Sequence, residues 1–244
     1  MTWKTFTLTA GLLASAAGLA MPAAAAETSA VRDDAKVVPL SEFDVDKWKD
    51  SAWLADEMRG SDVFGKDGEQ IGTVQSIVVS KDGMVERLVV ETGGFLDIGD
   101  KVIAVPWSGI DLTPGKEGVV AKNVDESNVE DFSLFGDREE ATTGPRSFRA
   151  AELAGDFVTL KGGEGYGYVR DLLFDRDGKL QAIVVAPDVA YDAAGYYAYP
   201  YHGYGYDYGF DFDPGLDYYA LPYSQEELAE YHDFDYDVWE DGIL

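Results

Sequence analysis

Few residues in this 244-residue chain have the types and spacing that catalysis or metal binding requires. Two histidines, His202 and His232, lie in stretches rich in Asp and Tyr near the C-terminus, and cysteine is absent. A Ser-His-Asp triad needs a histidine held beside a serine, and neither histidine belongs to a motif such as Gly-x-Ser-x-Gly. Histidine metal sites usually combine two or three positioned imidazoles. The sequence therefore indicates no catalytic, cofactor-binding or metal-binding residue and no cofactor. It predicts a protein that is not an enzyme, with a small hydrolase as the weaker alternative.

Carboxylates are the abundant chemical group. Asp and Glu number 46 against 19 Lys and Arg, which gives a formal net charge of −27. This excess opposes binding to nucleic acid and to anionic lipid surfaces, because both require cationic side chains. Basic partner proteins or cations fit the charge better. A solubilising surface, or adaptation to a salty habitat, is the alternative interpretation.

Two related stretches near the ends of the chain combine acids with aromatic residues. Residues 43–50 and 234–241 are identical at five of eight positions. Their carboxylates could bind calcium through oxygen ligands, which makes a divalent cation a possible partner. The EF-hand pattern is nevertheless broken, since Val238 stands where the loop requires glycine. The other interpretation packs the aromatic residues on a barrel and leaves the acids in water.

The first 26 residues have the organisation of a secretory signal peptide. Lys4 provides a positive start, Phe6–Met21 is a short apolar run, and Ala24–Ala26 ends in a small-residue cleavage pattern. An uncleaved anchor helix is the alternative, but the apolar run is shorter than the ~20 residues that cross a bilayer. We therefore expect a periplasmic or secreted protein without a transmembrane anchor after cleavage.

A β-hairpin signal occurs twice, 95 residues apart. Apolar runs flank Asp82-Gly83 and again Asp177-Gly178, and Asp-Gly between such runs is a strong hairpin signal. Residues 57–90 align without a gap onto residues 152–185, with twelve of 34 positions identical. The shared residues are mainly turn glycines and apolar residues. The chain therefore contains an internal repeat whose two copies have the same turns and the same buried faces.

Each copy is predicted to be a small β-barrel, because several short apolar strands are separated by glycine turns. The chain is thus expected to be mainly β, with two barrels in tandem and short flanking helices. The predicted segments are a signal peptide (1–26), a lead-in (27–56), the first barrel domain (57–135), a linker (136–147) and the second barrel domain (148–244). A helical turn is predicted at 53–59, and a capping box is predicted at Ser224–Glu227.

The second copy departs from the first through a predicted insertion at 186–217. This stretch contains eight tyrosines, five glycines and six aspartates but no Lys or Arg. Its length exceeds the ~12–15 residues usual for structureless loops, so it is either functional or disordered. One interpretation is an adhesive surface, since tyrosine offers a large contact area at low entropic cost. The other is a solvated loop that partly folds back on its barrel.

The turn glycines and core residues of the first copy resemble those of the PRC-barrel family, whose fold occurs in the photosynthetic reaction-centre H subunit and the ribosome maturation factor RimM. The matching runs are Glu57-Met58-Arg59-Gly60, Ile71-Gly72-Thr73-Val74, Asp82-Gly83, Leu88-Val89-Val90 and Val105-Pro106-Trp107. In the second copy the matching runs are Gly155, Gly167-Tyr168-Val169, Asp177-Gly178, Ile183-Val184-Val185 and Leu221-Pro222-Tyr223.

The resemblance implies a protein-interaction or assembly module without a shared catalytic residue set. With the export segment, it leads us to expect a cell-envelope protein whose partner is another protein or an envelope polymer. A calcium- or cation-binding envelope protein is the second hypothesis. The partners of the known relatives do not transfer, because this chain lacks the transmembrane helix of the H subunit and its export segment argues against a ribosomal role.

Overall fold

The computed structural model describes residues 37–92, 101–112, 118–125, 127–132, 147–191, 195–204, 217–228 and 234–239. The predicted signal peptide, residues 136–146 of the predicted linker, and His232 lie outside these residues. The described chain forms two β-sheets with a few short helices, which confirms the predicted mainly β fold with two β units.

Strands and helices follow one another in the same order in both copies, except for a two-residue strand found in the first copy and a helix at the end of the second. The strands are β1 (Ala52–Leu54), β2 (Asp62–Gly65), β3 (Gln70–Ser80), β4 (Val85–Thr92), β5 (Lys101–Pro106), β6 (Ile110–Asp111), β7 (Val119–Ala121), β8 (Ser147–Arg149), β9 (Phe157–Thr159), β10 (Gly165–Asp175), β11 (Leu180–Pro187), β12 (Tyr197–Pro200) and β13 (Tyr218–Ala220). The α-helices are α1 (Ala55–Met58), α2 (Ala150–Leu153) and α3 (Gln225–Leu228). Turns of 3-10 helix cover Leu40–Glu42, Asp46–Trp48, Trp107–Gly109, Val129–Phe132, Val189–Tyr191 and Tyr236–Val238.

The two sheets repeat one topology. The first runs β5-β4-β3-β2-β7-β6, and the second runs β12-β11-β10-β9-β13, which is the same order without a counterpart of β6. In each sheet a long hairpin pairs antiparallel with a short preceding strand, which in turn pairs parallel with a later one, β2 with β7 and β9 with β13. Because the strand order matches, the sequence repeat is also a repeat of fold.

Both hairpin turns have the predicted conformation. Gly83 and Gly178 have φ values of +79° and +82°, which glycine adopts without the steric cost of a Cβ. The Gly83 N–H donates to the Ser80 carbonyl at 2.9 Å, and the Gly178 N–H donates to the Asp175 carbonyl at 3.0 Å. The hairpin predicted from the Asp-Gly pairs is confirmed in both copies.

Each copy receives a strand from the segment that precedes the other. β1, before the first copy, pairs antiparallel with β10 of the second copy, and β8, before the second copy, pairs antiparallel with β3 of the first. The registers are equivalent, with Trp53 opposite Phe174 and Phe148 opposite Val79. The copies are therefore related as the subunits of a strand-exchanged dimer would be, within one chain.

The tips of the two hairpins also contact each other symmetrically. The Val85 N–H donates to the Gly178 carbonyl and the Leu180 N–H donates to the Gly83 carbonyl, each at 2.8 Å. The Trp107 indole of the first copy donates to the Asp177 carbonyl at 2.8 Å. One continuous apolar core joins the inner faces of both sheets. The turn glycines thus shape their own hairpins and also form part of the contact between copies.

The structure corrects two local predictions. Trp53 and Leu54 belong to β1, so the helical turn predicted at 53–59 contains only the four residues of α1. The counterpart of Val105-Pro106-Trp107 is Tyr199-Pro200-Tyr201 rather than Leu221-Pro222-Tyr223, because β12 pairs with β11 as β5 pairs with β4. The run of tyrosines concealed an edge strand although tyrosine is enriched in strands, because glycine, proline and aspartate, which are depleted in strands, surround and interrupt the run.

The capping box predicted before α3 is confirmed. The Ser224 N–H donates to Glu227 Oε2 at 2.8 Å, and the Glu227 N–H donates to Ser224 Oγ at 3.4 Å. The hydrogen bond from the Ser224 N–H, together with that from the Ser224 hydroxyl, holds the pKa of Glu227 below its usual value. The reciprocal bonds satisfy backbone donors that the first turn of a helix leaves open.

Candidate functional site

A row of aromatic side chains crosses the outer face of the second sheet. Tyr218 on β13 is opposite Phe157 on β9, and Phe157 is opposite Tyr168 on β10. Directly paired residues share a face of a sheet, so the three side chains form one row, which we call the aromatic ladder. The Phe157 and Tyr168 rings meet edge to face at 5.4 Å and 66°, and Tyr168 is 52% exposed.

The first copy has no aromatic residue at the equivalent positions. Asp62 on β2 is opposite Thr73 on β3, and Gly118, which precedes β7, stands at the position of Tyr218. A further difference lies beneath the Phe157 ring, where a Cβ on Gly165 would approach the ring to 2.5 Å. The counterpart of Gly165 in the first copy is Gln70. The second copy therefore has both an aromatic row and a glycine that leaves room for one of its rings.

Acidic residues flank the aromatic ladder. The exposed Asp217 precedes Tyr218, and its carbonyl accepts the Phe157 N–H at 3.2 Å. The neighbouring stretch 186–217 contains six aspartates and no Lys or Arg. Exposed aromatic rings bordered by carboxylates favour partners with both apolar and cationic groups.

A cavity of about 330 Å³ lies between the two copies. It is lined by equivalent elements of both, including α1, α2 and the middle of β3 and β10. Its polar rim contains Asp56, which accepts hydrogen bonds from Arg59 at 3.2 Å and from Arg170 at 2.6 Å. Ser76 also lines the cavity, and its buried Oγ has no hydrogen-bond partner in the described part of the chain.

A buried carboxylate lies beside this cavity in the second copy. Asp171 is 1% exposed, and its Oδ1 accepts the backbone N–H of Leu172 at 2.7 Å and that of Asp56 at 3.2 Å. Burial raises the pKa of Asp171 to about 7, and the negative charge of Asp56 contributes. The hydrogen bonds and Arg170 only partly oppose that rise. Backbone N–H groups hold the Asp171 carboxylate in position. Among the described residues, no catalytic partner does so.

The described tyrosines of the stretch 186–217 mostly pack inward. Tyr199 and Tyr204 are buried, and the Tyr199 hydroxyl lies 2.6 Å from that of Tyr166. Tyr204 donates to Asp156 at 2.5 Å, where burial raises the pKa of Asp156 to about 6. These contacts favour the interpretation in which the stretch folds back on its barrel. Residues 192–194 and 205–216 lie outside the described part.

The contacts of His202 also indicate a structural role. Its Nε2 lies 2.9 Å from the Tyr223 hydroxyl, which donates its single proton to the Val38 carbonyl at 2.6 Å. Nε2 must then carry the hydrogen and donate to Tyr223, which leaves it unable to accept a proton there. Burial lowers the pKa of His202 to about 4. His202 therefore supports the packing of the Tyr-rich stretch and does not form a triad with any described residue.

The two acidic–aromatic stretches cover the part of the outer face of the second sheet that lies around Leu173 and Val184, away from the exposed Tyr168. Phe234 and Trp239 stack at 5.3 Å and are buried with Leu173 and Val184 of β10 and β11, and Phe43 and Trp48 of the other stretch pack against the same cluster. This is the packing interpretation of these stretches. Among the described residues, no three His, Asp or Glu side chains are grouped as a metal site would require.

Comparison with protein families identifies the first copy. Residues 54–126 match the model of the PRC-barrel domain. The first copy is therefore similar to the PRC-barrel domain. The resemblance proposed from the turn glycines and core valines is therefore confirmed. Comparison with curated proteins finds no significant match.

The PRC-barrel match also limits the function, since PRC-barrel domains are generally non-catalytic modules. The second copy repeats the strand order of the PRC-barrel domain, and its outer face carries the aromatic ladder. In the described residues, no helix is both long enough and apolar enough to cross a bilayer. Sequence reasoning missed the aromatic ladder. The available signal was the replacement of Asp62 and Thr73 by Phe157 and Tyr168 between the aligned copies.

Proposed function

We propose that this chain is an exported, non-catalytic PRC-barrel protein that acts as an interaction or assembly module in the cell envelope, in the periplasm or after secretion. The aromatic ladder is its partner-binding surface, and the partner is a protein or an envelope polymer. The observation that carries the proposal is the difference between copies at one place in the same fold. Where the first copy has Asp62 and Thr73, the second has the partly buried Phe157 and the exposed Tyr168.

Aromatic side chains that lie next to one another on a surface favour binding, because aromatic burial is a large favourable term. Tyr168 is 52% exposed although the adjacent β10 residues Gly167 and Val169 are buried. Aromatic side chains are enriched at protein interfaces, where a few rings supply much of the binding energy. The acidic surroundings would direct the surface towards partners that carry cationic groups.

The absence of cysteine provides a direct test of the binding surface. Tyr168→Cys introduces a single thiol in the aromatic ladder, and Thr73→Cys introduces one at the equivalent position of the first copy. Each variant is labelled with a photo-crosslinker and returned to envelope extracts. We expect a discrete adduct from position 168, reduced by excess unlabelled protein and lost when Phe157→Asp is added. Equal adducts from both positions, or none from position 168, would contradict the assignment.

Export is tested separately by the intact mass of the protein recovered outside the cytoplasm. Removal of residues 1–26 leaves a chain that begins at Glu27. A recovered protein that retains Met1 would contradict signal cleavage, whatever the result at the aromatic ladder.

A further inference from the structure

Equivalent β-bulges interrupt the long hairpins of the two copies. The register of β3 with β4 shifts between Val74 and Ser76, and that of β10 with β11 shifts between Val169 and Asp171. A bulge redirects the side chain that it carries. Ser76 and Asp171 therefore occupy matching places beside the contact between the copies, and they differ in one functional group, a hydroxyl in place of a carboxylate.

In the second copy the Asp171 carboxylate occupies the space beside the bulge. Asp171 Oδ1 accepts the N–H groups of Leu172 and Asp56, as described above. In the first copy the shorter Ser76 has a buried Oγ that makes no hydrogen bond to any described residue, whereas Asp171 is held through Oδ1 and only its Oδ2 is without such a partner. Ala151, the counterpart of Asp56, lines the cavity of about 330 Å³ at this point. The cavity thus lies where the second copy has a carboxylate.

The rim of the cavity is locally cationic in a strongly acidic protein. Arg59 and Arg170 are both about half exposed, and each contacts Asp56 through one terminal guanidinium nitrogen. The two guanidinium groups face the one negative charge of Asp56, and Asp171 beside the cavity is the only further acid described there. Because burial raises the pKa of Asp171 to about 7, the rim has an excess of one positive charge below that pH. A guanidinium group has five N–H donors in a planar fork that suits carboxylates. The remainder of the lining is mostly apolar, with Ile77 and Val169 from the two hairpins.

We propose that this cavity binds a small aliphatic monocarboxylate. The carboxylate of the ligand takes the place that Asp171 fills in the second copy, accepting from the Ser76 hydroxyl and from the Arg170 guanidinium. Its alkyl chain lies against Ile77, Val169 and the alanines of α2. The apolar lining favours such a ligand over inorganic phosphate or sulfate, which would leave it in contact with a strongly hydrated ion. The volume falls within the range of small-molecule sites. This site is separate from the aromatic ladder.

Calorimetric titration of the full chain with the series from acetate to hexanoate tests the proposal in low-chloride buffer. Affinity should rise with chain length until the cavity is filled, and the alcohols of matching length should not bind. Ser76→Ala and Arg170→Gln should each weaken binding by roughly tenfold, the usual effect of removing a hydrogen bond to a charged group. Thr73→Ala, in the same strand but on the outer face, is the matched control and should leave affinity unchanged.

Ser76→Asp supplies the missing carboxylate covalently and should abolish binding of every member of the series. Thermal melting of each unliganded variant shows whether it is folded, and Arg170→Gln, at an exposed side chain, keeps the test available if Ser76→Asp does not fold. Three results would overturn the proposal: no saturable binding by the wild-type chain, alcohols that bind as well as carboxylates, or unchanged affinity in folded Ser76→Asp.

Discussion

The two copies share the residues of their inner faces and differ in the residues of their outer faces. The residues that form their turns and inner faces are shared, as at Gly83 and Gly178 or at Leu88 and Ile183, and each pair has the same place in its sheet. On the outer faces the correspondence ends, with Thr73 replaced by Tyr168. Duplication has thus kept one scaffold and left its exposed positions free to change, so the differences between copies indicate function better than the features they share.

The exchanged strands provide the strongest test of the shared scaffold. Trp53 stacks on Phe174 of the second copy at 4.5 Å, and Phe148 pairs with Val79 of the first copy, so each exchanged aromatic residue is anchored in the other copy. We expect Trp53→Ala and Phe148→Ala each to lower the free energy of unfolding by about 3–5 kcal/mol. Calorimetry should show a single unfolding transition in both variants. Two separated transitions would show that the copies unfold independently.

The residues at the matching bulges, Ser76 and Asp171, differ in how their contribution to the free energy of unfolding depends on pH. The pKa of Asp171 rises on folding from 3.8 to about 7, so the folded state holds this proton more tightly than the unfolded chain. Its contribution to stability is complete below pH 4 and is lost as the pH rises to about 7, by about 4 kcal/mol at most. Asp171→Asn keeps the acceptor for both backbone N–H groups and should remove this loss.

Urea unfolding at pH 4 and pH 8 measures this effect, and Ser76→Ala serves as the control at the equivalent bulge. Asp56, Arg170 and the Tyr236 ring face Asp171, so the measurements should be made at constant ionic strength. The same fall in stability between the two pH values in Asp171→Asn and in the wild-type chain would refute the assignment. Asp156, with a pKa of about 6, adds a smaller dependence of the same sign that remains in the variant.

Substitution of the turn glycines should lower the melting temperature by different amounts in the two copies. Both have positive φ, and a side chain there costs about 1–2 kcal/mol. A Cβ on Gly178 would lie 2.4 Å from the Trp107 ring nitrogen, whereas a Cβ on Gly83 would lie 3.0 Å from the edge of Tyr201. We therefore expect Gly178→Val to lower the melting temperature more than Gly83→Val does. Equal melting temperatures for wild type and Gly83→Val would contradict the turn conformation.

Substitutions in the aromatic ladder should have the smallest effect on the free energy of unfolding. Tyr168→Thr installs the residue of the first copy at an exposed position, where substitutions usually change stability by less than about 0.5 kcal/mol. Partner capture should nevertheless be lost. The reciprocal variant, Thr73→Tyr, is the control and should not create capture. A large fall in the melting temperature of Tyr168→Thr would instead assign the ring a structural role.

Much of the scaffold could be predicted because local rules determine it. Asp82-Gly83 specifies a tight turn, and apolar runs such as Leu88–Val90 specify a strand buried on its faces. The exchange of β1 and β8 could not be predicted, because a repeat reveals which strands are equivalent but not which copy supplies the edge that each joins. Tyr168 lay in an apolar run whose pattern does not distinguish the inner face from the outer one. The Ser76 cavity required three-dimensional positions from both copies.

The strand exchange also has a consequence for the order in which the chain folds during synthesis. Trp53 leaves the ribosome long before the carbonyl that accepts its indole N–H, since Asp175 follows 122 residues later. The first hairpin is likewise made before Ser147–Arg149, which pair with its long strand. Contacts between residues so distant in sequence form slowly. A chain terminated between the copies would therefore expose a strand without its sheet and a sheet edge without its strand.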